Sequence, residues 1–441
     1  MAVPTNVLQT VQTYMKAELA WLLNSFYAIR QTNKKFKDFN KTAPSNLGDT
    51  VTYDLTPRYI GYNGLVITQQ PSIQRVQSLT CSQAFNVSTG YTDQQFIFNV
   101  EDYMQRFGMA AMHQLGSLVE EDILKNFVSG VTVNDPQNAN YGQAQVNSGP
   151  FRFYGDGVTA INSYQQLAQM VANFRAFGAA SDKMEAVLPV TSIPAIIGSG
   201  LNQFAINRNN EDAMSWELGK FANTEWFESN LLPTHVSGAI AEAAAPNNVM
   251  TVVSTNDPTG QNVTQITFTE PTGGTNPNAV LSGDLFQFNQ GVGSYPNVYF
   301  TTFIGQSPTA LPAQFRATAN AGTVAGTVTV NIQTINGVGL VWAQNQNQNL
   351  TTAIQAGMKV TPVPSHLAGC LHSGNQFYLA MPRLPDESPF TTVNMQDEES
   401  GASIRHYFGS QFGLNNRAYV RDEIHGSDLV SENSMRICFA L

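Results

Sequence analysis

Across residues 99–130, NVEDYMQRFGMAAMHQLGSLVEEDILKNFVSG, apolar side chains recur every three or four positions: Val100, Met104, Phe107, Ala111, Leu115, Leu118, Val119, Ile123 and Phe127. That spacing predicts one amphipathic helix with a long apolar face. Asn99 is placed to cap it, Glu101 and Asp102 sit in its first turn, and Gly130 can end it. At 1.5 Å per residue the helix would run roughly 40 Å. Such a length suits either a core helix of an ordinary enzyme or the spine of a flat, extended subunit. Val7, Leu8, Val11, Tyr14, Met15, Leu19, Leu22, Leu23 and Phe26 repeat the same period near the amino terminus, and RQTNKKFKDFN after them breaks it as a linker. A third helical pattern, SYQQLAQMVANFRAFG, begins at Ser163 as cap and ends at Gly178. KMEAVLPV at 183–190 follows as a buried strand and PAIIGSGLNQF at 194–204 as another helix, an order that builds an α/β layer.

The pattern changes twice. In 48–98 the strand candidates are TVTYDL, Gly64–Thr68, Ile73–Thr80 and Gln94–Phe98, with Gly and Pro turns between them. Apolar content is thin, so this stretch reads as a long two-stranded excursion. It needs another element to lie against, in its own subunit or a neighbour. In 249–360 Thr, Val, Asn and Gly dominate, and many short strands predict an inserted sandwich or barrel able to close its own core. After it, 361–441 turns apolar again and returns to the α/β core, with a turn at Ile424–Gly426 and a last strand over SMRICFAL. The chain thus reads as α+β in five parts: an N-terminal helical arm and linker (1–47), the excursion (48–98), the long helix and α/β core (99–248), the inserted β domain (249–360) and the return (361–441).

Composition narrows the classes. Charged residues are 12% of the 441, roughly half the usual share, and formal net charge is −10. An acidic chain whose one basic cluster is Lys34, Lys35 and Lys37 is a poor sequence-independent DNA binder. Few surface charges also favour broad contacts between copies. Cys81, Cys370 and Cys438 are odd in number and far apart, which suits buried thiols rather than disulfides. Neither a bilayer-spanning run nor a secretory signal is apparent.

Candidate chemistry is sparse. His366, Cys370 and His372 lie close in sequence, with Asp386 and Glu387 beyond, but lack the spacing of a zinc set. His406 and His425, with Arg405, Arg417, Arg421, Asp422 and Glu423, read as an ion-pair network at a subunit contact. Glu120, Glu121 and Asp122 point in three directions and read as a solvated face, with one member available to a basic partner. GDGVT at 155–159 is not a phosphate loop, and hydrolase, P-loop, dinucleotide and HExxH motifs are absent. In the β region the main carboxylates, Asp257, Glu270 and Asp284, fall in loop-like or strand-start positions. No catalytic, cofactor-binding or metal residue is assigned, and no enzymatic activity is expected.

The order of these segments resembles the major capsid protein of tailed bacteriophages, closest to the P22-like coat proteins of short-tailed phages that carry an inserted β domain. The carrying stretches are the arm at Val7–Phe26, the excursion, NVEDYMQRFGMAAMHQLGSLVEEDILKNF, GKFANTEWFESNLLPTHVSG, LAGCLHSGNQFYLAMPRLP and the closing run from Gly401 to Leu441. The resemblance implies an HK97-like phage capsid fold with a spine helix, an extended loop and an inserted β-barrel or sandwich. It implies a non-enzymatic virion protein that assembles in the host cytoplasm as pentamers and hexamers into an icosahedral shell. Its expected partners are copies of itself, a scaffolding protein and a portal, and the shell encloses double-stranded DNA without specific binding or any membrane. The other readings of the sequence are a tail or surface-layer subunit, and a secreted β-rich carbohydrate-active protein resting on Asn and Thr content and on Trp21, Trp216, Trp226 and Trp342.

Overall fold

The computed structural model describes residues 16, 18–22, 26–32, 50–62, 64–65, 69–92, 108–128, 149–178, 183–200, 219–244, 248–271, 275–291, 295–303, 305–374, 376–385, 391–396, 402–410 and 416–441. In chain order the elements are α1 (Tyr27–Gln31), β1 (Thr50–Leu55), β2 (Arg75–Thr80), β3 (Gln83–Thr92), α2 (Met109–Leu124), β4 (Phe153–Tyr154), α3 (Tyr164–Ala176), β5 (Met184–Pro189), α4 (Ile193–Gly200), β6 (Lys220–Phe221), β7 (Thr224–Ser229) and β8 (Thr234–His235). They continue as β9 (Met250–Thr255), β10 (Gln265–Thr269), β11 (Leu285–Phe288), β12 (Tyr299–Thr301), β13 (Pro308–Pro312), β14 (Gln314–Arg316), β15 (Thr327–Asn331) and β16 (Lys359–Pro362). The chain closes with β17 (His366–Ser373), β18 (Phe377–Ala380), β19 (Thr391–Gln396), β20 (Ser403–Ser410), β21 (Asn416–Leu429) and β22 (Ser434–Phe439). The fold is mixed α+β. Among the described residues no helix is long and apolar enough to cross a membrane. Two compact units divide the chain: Met1–Thr52, Ser78–Leu124 and Phe377–Asp428 form the first, and Tyr53–Gln77, Lys125–Gln376 and Leu429–Leu441 the second.

In the first unit α2 occupies 16 residues of the predicted long helix, about 24 Å; Val100, Met104, Phe107 and Gly130 lie outside the described residues. Met112, Leu115, Val119 and Ile123 are fully buried at the expected three- and four-residue steps. Gly116 shares that face because nothing larger fits: a Cβ there would lie 2.2 Å from the Phe26 ring. Beside α2, β21 pairs with β3, β18 and β20, and β19 extends the sheet beyond β20. Two expectations change here. Residues 83–92, read as connecting chain in the excursion, form a ten-residue strand paired with β21 from Thr92↔Asn416 to Gln83↔His425. The predicted turn at Ile424–Gly426 lies inside β21, and Gly426 serves close approach instead, since a Cβ would meet the Thr80 carbonyl oxygen at 2.4 Å.

Glu120 departs from the predicted solvated face. It is buried on α2, and its carboxylate accepts from the Ala28 N–H (2.9 and 3.0 Å) and the Ile29 N–H (3.3 Å) at the start of α1. Burial raises its pKa from an ordinary 4.5 to about 7, opposed by those amides and the Arg30 charge. A group whose folded-state pKa is raised contributes stability that is complete below the unfolded value and lost as pH rises through the folded one. Thermal or denaturant melts from pH 4.5 to 8 should therefore show the parent losing stability relative to Glu120→Gln as pH rises, by on the order of 3 kcal/mol. A difference between parent and variant that does not change with pH would remove Glu120 from the pH dependence.

The second unit holds two larger sheets. One runs β4-β22-β17-β5-β7-β6, with β8 also on β17; the other runs β14-β11-β16-β9-β10-β15 and is drawn wholly from 250–362. α3 forms as predicted: Ser163 accepts from the Gln166 N–H, Leu167, Met170, Val171 and Phe174 are buried, and Gly178 has φ +85°. Met184–Pro189 is buried throughout. Within 249–360 the many short strands predicted are present as β9 to β15, and Leu340 makes an isolated bridge to Val263. The hydrophobic core of 249–360 is continuous with that of the neighbouring α/β layer. One hydrophobic cluster joins Phe268, Phe286 and Phe315 to Phe300 and Phe303, and these to Phe151, Phe174 and Phe177 around α3. The Phe303 N–H donates to the Phe177 carbonyl at 2.7 Å.

Candidate functional site: an anchored excursion

Between β1 and β2 the chain leaves the ladder, and side chains tie its two legs together. The Gln70 amide accepts from the Ile60 N–H (2.9 Å) and donates to the Ile60 carbonyl. The Tyr59 hydroxyl meets Ser72 Oγ at 2.8 Å, and Gln74 Nε2 donates to Asp54 at 2.9 Å. Gln346, in the QNQNQN loop, donates to Gln70 Oε1 and the Pro71 carbonyl, both at 3.1 Å.

The base of the excursion is held by one carboxylate. Glu432 stands in the short turn Ser431–Asn433 between β21 and β22 and is buried. Arg75 donates to it with two nitrogens, Nη1 to Oε2 at 3.0 Å and Nη2 to Oε1, and Arg58 Nη2 donates to Oε1 at 2.9 Å. A forked guanidinium fixes orientation as well as distance. Arg58 also lies 4.2 Å over the Phe303 ring. From the core side Arg152, 4.1 Å over the Phe177 ring, donates to the Glu432 carbonyl at 3.0 Å. Burial lowers the pKa of Arg152 to about 9 and that of Arg58 in the same direction, with Glu432 opposing both. Three guanidiniums thus depend on one acidic residue in a desolvated place.

Above this anchor the excursion ends in exposed apolar surface. Leu65 is 101% exposed, Tyr62 54%, Tyr59 49% and Ile73 48%. The segment is thus held at its base and shows large apolar side chains to water. It supplies contact area and phenolic hydroxyls, with no nucleophile or metal ligand among them.

The sequence-predicted chemical residues are placed elsewhere. His366, Cys370 and His372 are buried on β17, where His366 Nδ1 meets the Pro364 carbonyl at 2.7 Å and His372 Nδ1 the Ser373 carbonyl at 3.1 Å. Burial holds His366 well below its ordinary pKa and His372 at about 4. Asp386 and Glu387 lie outside the described residues. Asp284 is buried and 2.9 Å from His235 Nε2. All three cysteines are buried, and none is in a disulfide. Among the described residues no group of three or more His, Cys, Asp or Glu could hold a metal ion.

Ion pairs of the predicted network form inside the first unit. Arg405 forks onto Asp422, and Arg421 donates to Glu18 at 2.9 and 3.3 Å. His406 Nδ1 meets the Tyr419 hydroxyl at 2.7 Å. His425 bridges Glu423 and Asp122, each at 3.1 Å. Burial works against the His425 charge, yet Glu423 and Asp122 hold its pKa up to about 10; burial and the Arg421 charge press His406 down to about 3. Of the tryptophans, Trp226 is buried with its indole N–H on the Phe221 carbonyl, and Trp342 packs on Gly260. Trp21 lies edge-on to Phe26, and Trp216 falls outside the described residues.

No protein-family model matches the sequence, and no curated protein matches it. Solved structures similar to this chain include Mycobacterium phage Che8, at 7% identity over 93% of this chain and 90% of that one, TM-score 0.41. The capsid of Ralstonia phage GP4 is similar at 8% identity over 90% and 85%, TM-score 0.41. The capsid asymmetric unit of cyanophage Pam1 is similar at 11% identity over 92% and 88%, TM-score 0.39.

Proposed function

We propose that the chain is a self-assembling structural protein, a shell subunit of the tailed-phage major capsid class, with no catalytic role. The observation that carries this reading is the excursion: anchored through Arg58 and Arg75 to Glu432, and exposing Tyr59, Tyr62, Leu65 and Ile73. The occupant of that tip is a second copy. The sparse charge supports the same reading. Arg75, Lys125, Arg152, Arg316, Arg405, Arg421 and Arg436, seven of the 22 basic residues, are buried among the described residues, so fewer cations remain on the surface than composition implies. In the finer form of the proposal, copies form pentamers and hexamers of an icosahedral HK97-like shell. Scaffolding protein and portal take part in assembly in the host cytoplasm, and double-stranded DNA is enclosed in the virion. Residues 249–360 are the inserted β domain of a P22-like arrangement, and 99–130 the spine.

Electron microscopy of the purified protein, alone and co-expressed with its scaffold, tests the reading. Closed shells of uniform size are expected; monomers under every condition, or only open tubes and sheets, would overturn it. Tyr62→Ser with Leu65→Asp should leave the melting transition within about 0.5 kcal/mol of the parent, because both side chains face water. The same pair should abolish shell formation. Normal shells from the double variant would remove the tip from the assembly contact.

A further inference from the structure

At one end of the six-stranded sheet a pocket of about 330 Å³ opens, within the size range of small-molecule sites. Thr264, Gln265, Arg316, Thr318, Asn331 and Thr334 are among its lining residues, and none of the lining residues is a carboxylate. The pocket is built rather than incidental. The register of β10 and β15 sets Gln265 opposite Asn331. Thr318 is fixed by its N–H on the Asn331 carbonyl at 2.9 Å, and Gln333 Oε1 accepts from the Arg316 N–H at 2.6 Å. Arg316 is 2% exposed. Burial and the charge of Arg436 lower its pKa to about 9, so a ligand anion would meet a cation that two influences press toward neutrality. From the mouth, hydroxyls continue along the same two strands: Thr267 Oγ1 meets Thr329 Oγ1 at 3.0 Å, and Thr269 stands opposite Thr327.

A guanidinium recognises a carboxylate, and neutral amides and hydroxyls recognise the hydroxyls of a polyol. We propose that this pocket binds an acidic monosaccharide unit of a glycan, a uronic or sialic acid. Arg316 takes its carboxylate, Gln265, Asn331 and the threonines take its hydroxyls, and the hydroxyl rows of β10 and β15 carry the next sugar. The proposal is independent of shell formation.

Calorimetric titration of the full-length protein with glucuronate, N-acetylneuraminate, glucose and sodium sulfate tests it. Saturable binding of either acidic sugar is expected, at least roughly tenfold tighter than glucose or sulfate. Gln265→Ala with Asn331→Ala should weaken that binding by roughly tenfold without shifting the melting temperature, since both side chains stand at the rim. Arg316→Met, if it folds, should abolish it. Sulfate binding as tightly as the sugars, with the rim variants indifferent, would mean an adventitious ion only. That outcome overturns the proposal, as does the absence of saturable binding by either acidic sugar.

Discussion

Replacing Glu432 by Ala should destabilise the second unit by about 3–5 kcal/mol, the usual result of removing one member of a buried ion pair. The cost arises less from the lost attraction than from what remains. Arg58 and Arg75 would be left desolvated without a counter-charge, beside Arg152, whose pKa burial already depresses. Glu432→Gln keeps an acceptor but no charge, and should fall between parent and Ala. Chemical denaturation gives the magnitude, and limited proteolysis locates it, with new cleavage between Thr56 and Gln74 before any in β17 or β22. An Ala variant with the parental midpoint and cleavage pattern would show that the anchor is not what holds the excursion.

Phe315→Ala should cost about 3–5 kcal/mol. Its ring is fully buried, stacked on Phe286 at 4.9 Å and Phe268 at 6.1 Å with the planes nearly parallel. Those three rings belong to the cluster that runs on through Phe300 to α3. The loss should therefore appear as one cooperative transition shifted to lower denaturant. A variant that melts in two steps, with 249–360 going first, would show that the six-stranded sheet keeps a core of its own.

Local signals were legible wherever the pattern was long or the turn chemistry specific. α3 is written in Ser163, its apolar period and Gly178, and the six-residue run of β5 can only be a buried strand. β21 shows why the closing region misled. Tyr419, Arg421, Glu423 and His425 alternate with period two, the mark of a strand, yet their polarity and Gly426 suggested a turn and a surface. Polar side chains on a buried face are readable only once their partners are known, and Glu18 and Asp122 lie about 300 to 400 residues away in sequence. The same distance hid the anchor. Arg58 and Arg75 flank the excursion visibly, but nothing in SEN at 431–433 marks Glu432 as their partner, 374 and 357 residues on. Glu120 was misplaced because a carboxylate capping a helix 92 residues away leaves no local trace.

On assembly a second copy should cover the excursion tip. Hydroxyl-radical footprinting of Tyr59, Tyr62 and Leu65, in dissociated protein and in purified assemblies, measures this directly. All three should be modified freely in the dissociated chain, where about half or more of each surface is open, and should be strongly protected in the assembly, while Val158, 70% exposed in the second unit, serves as the reference. Equal modification of the tip residues in both states would mean that no second copy covers the tip.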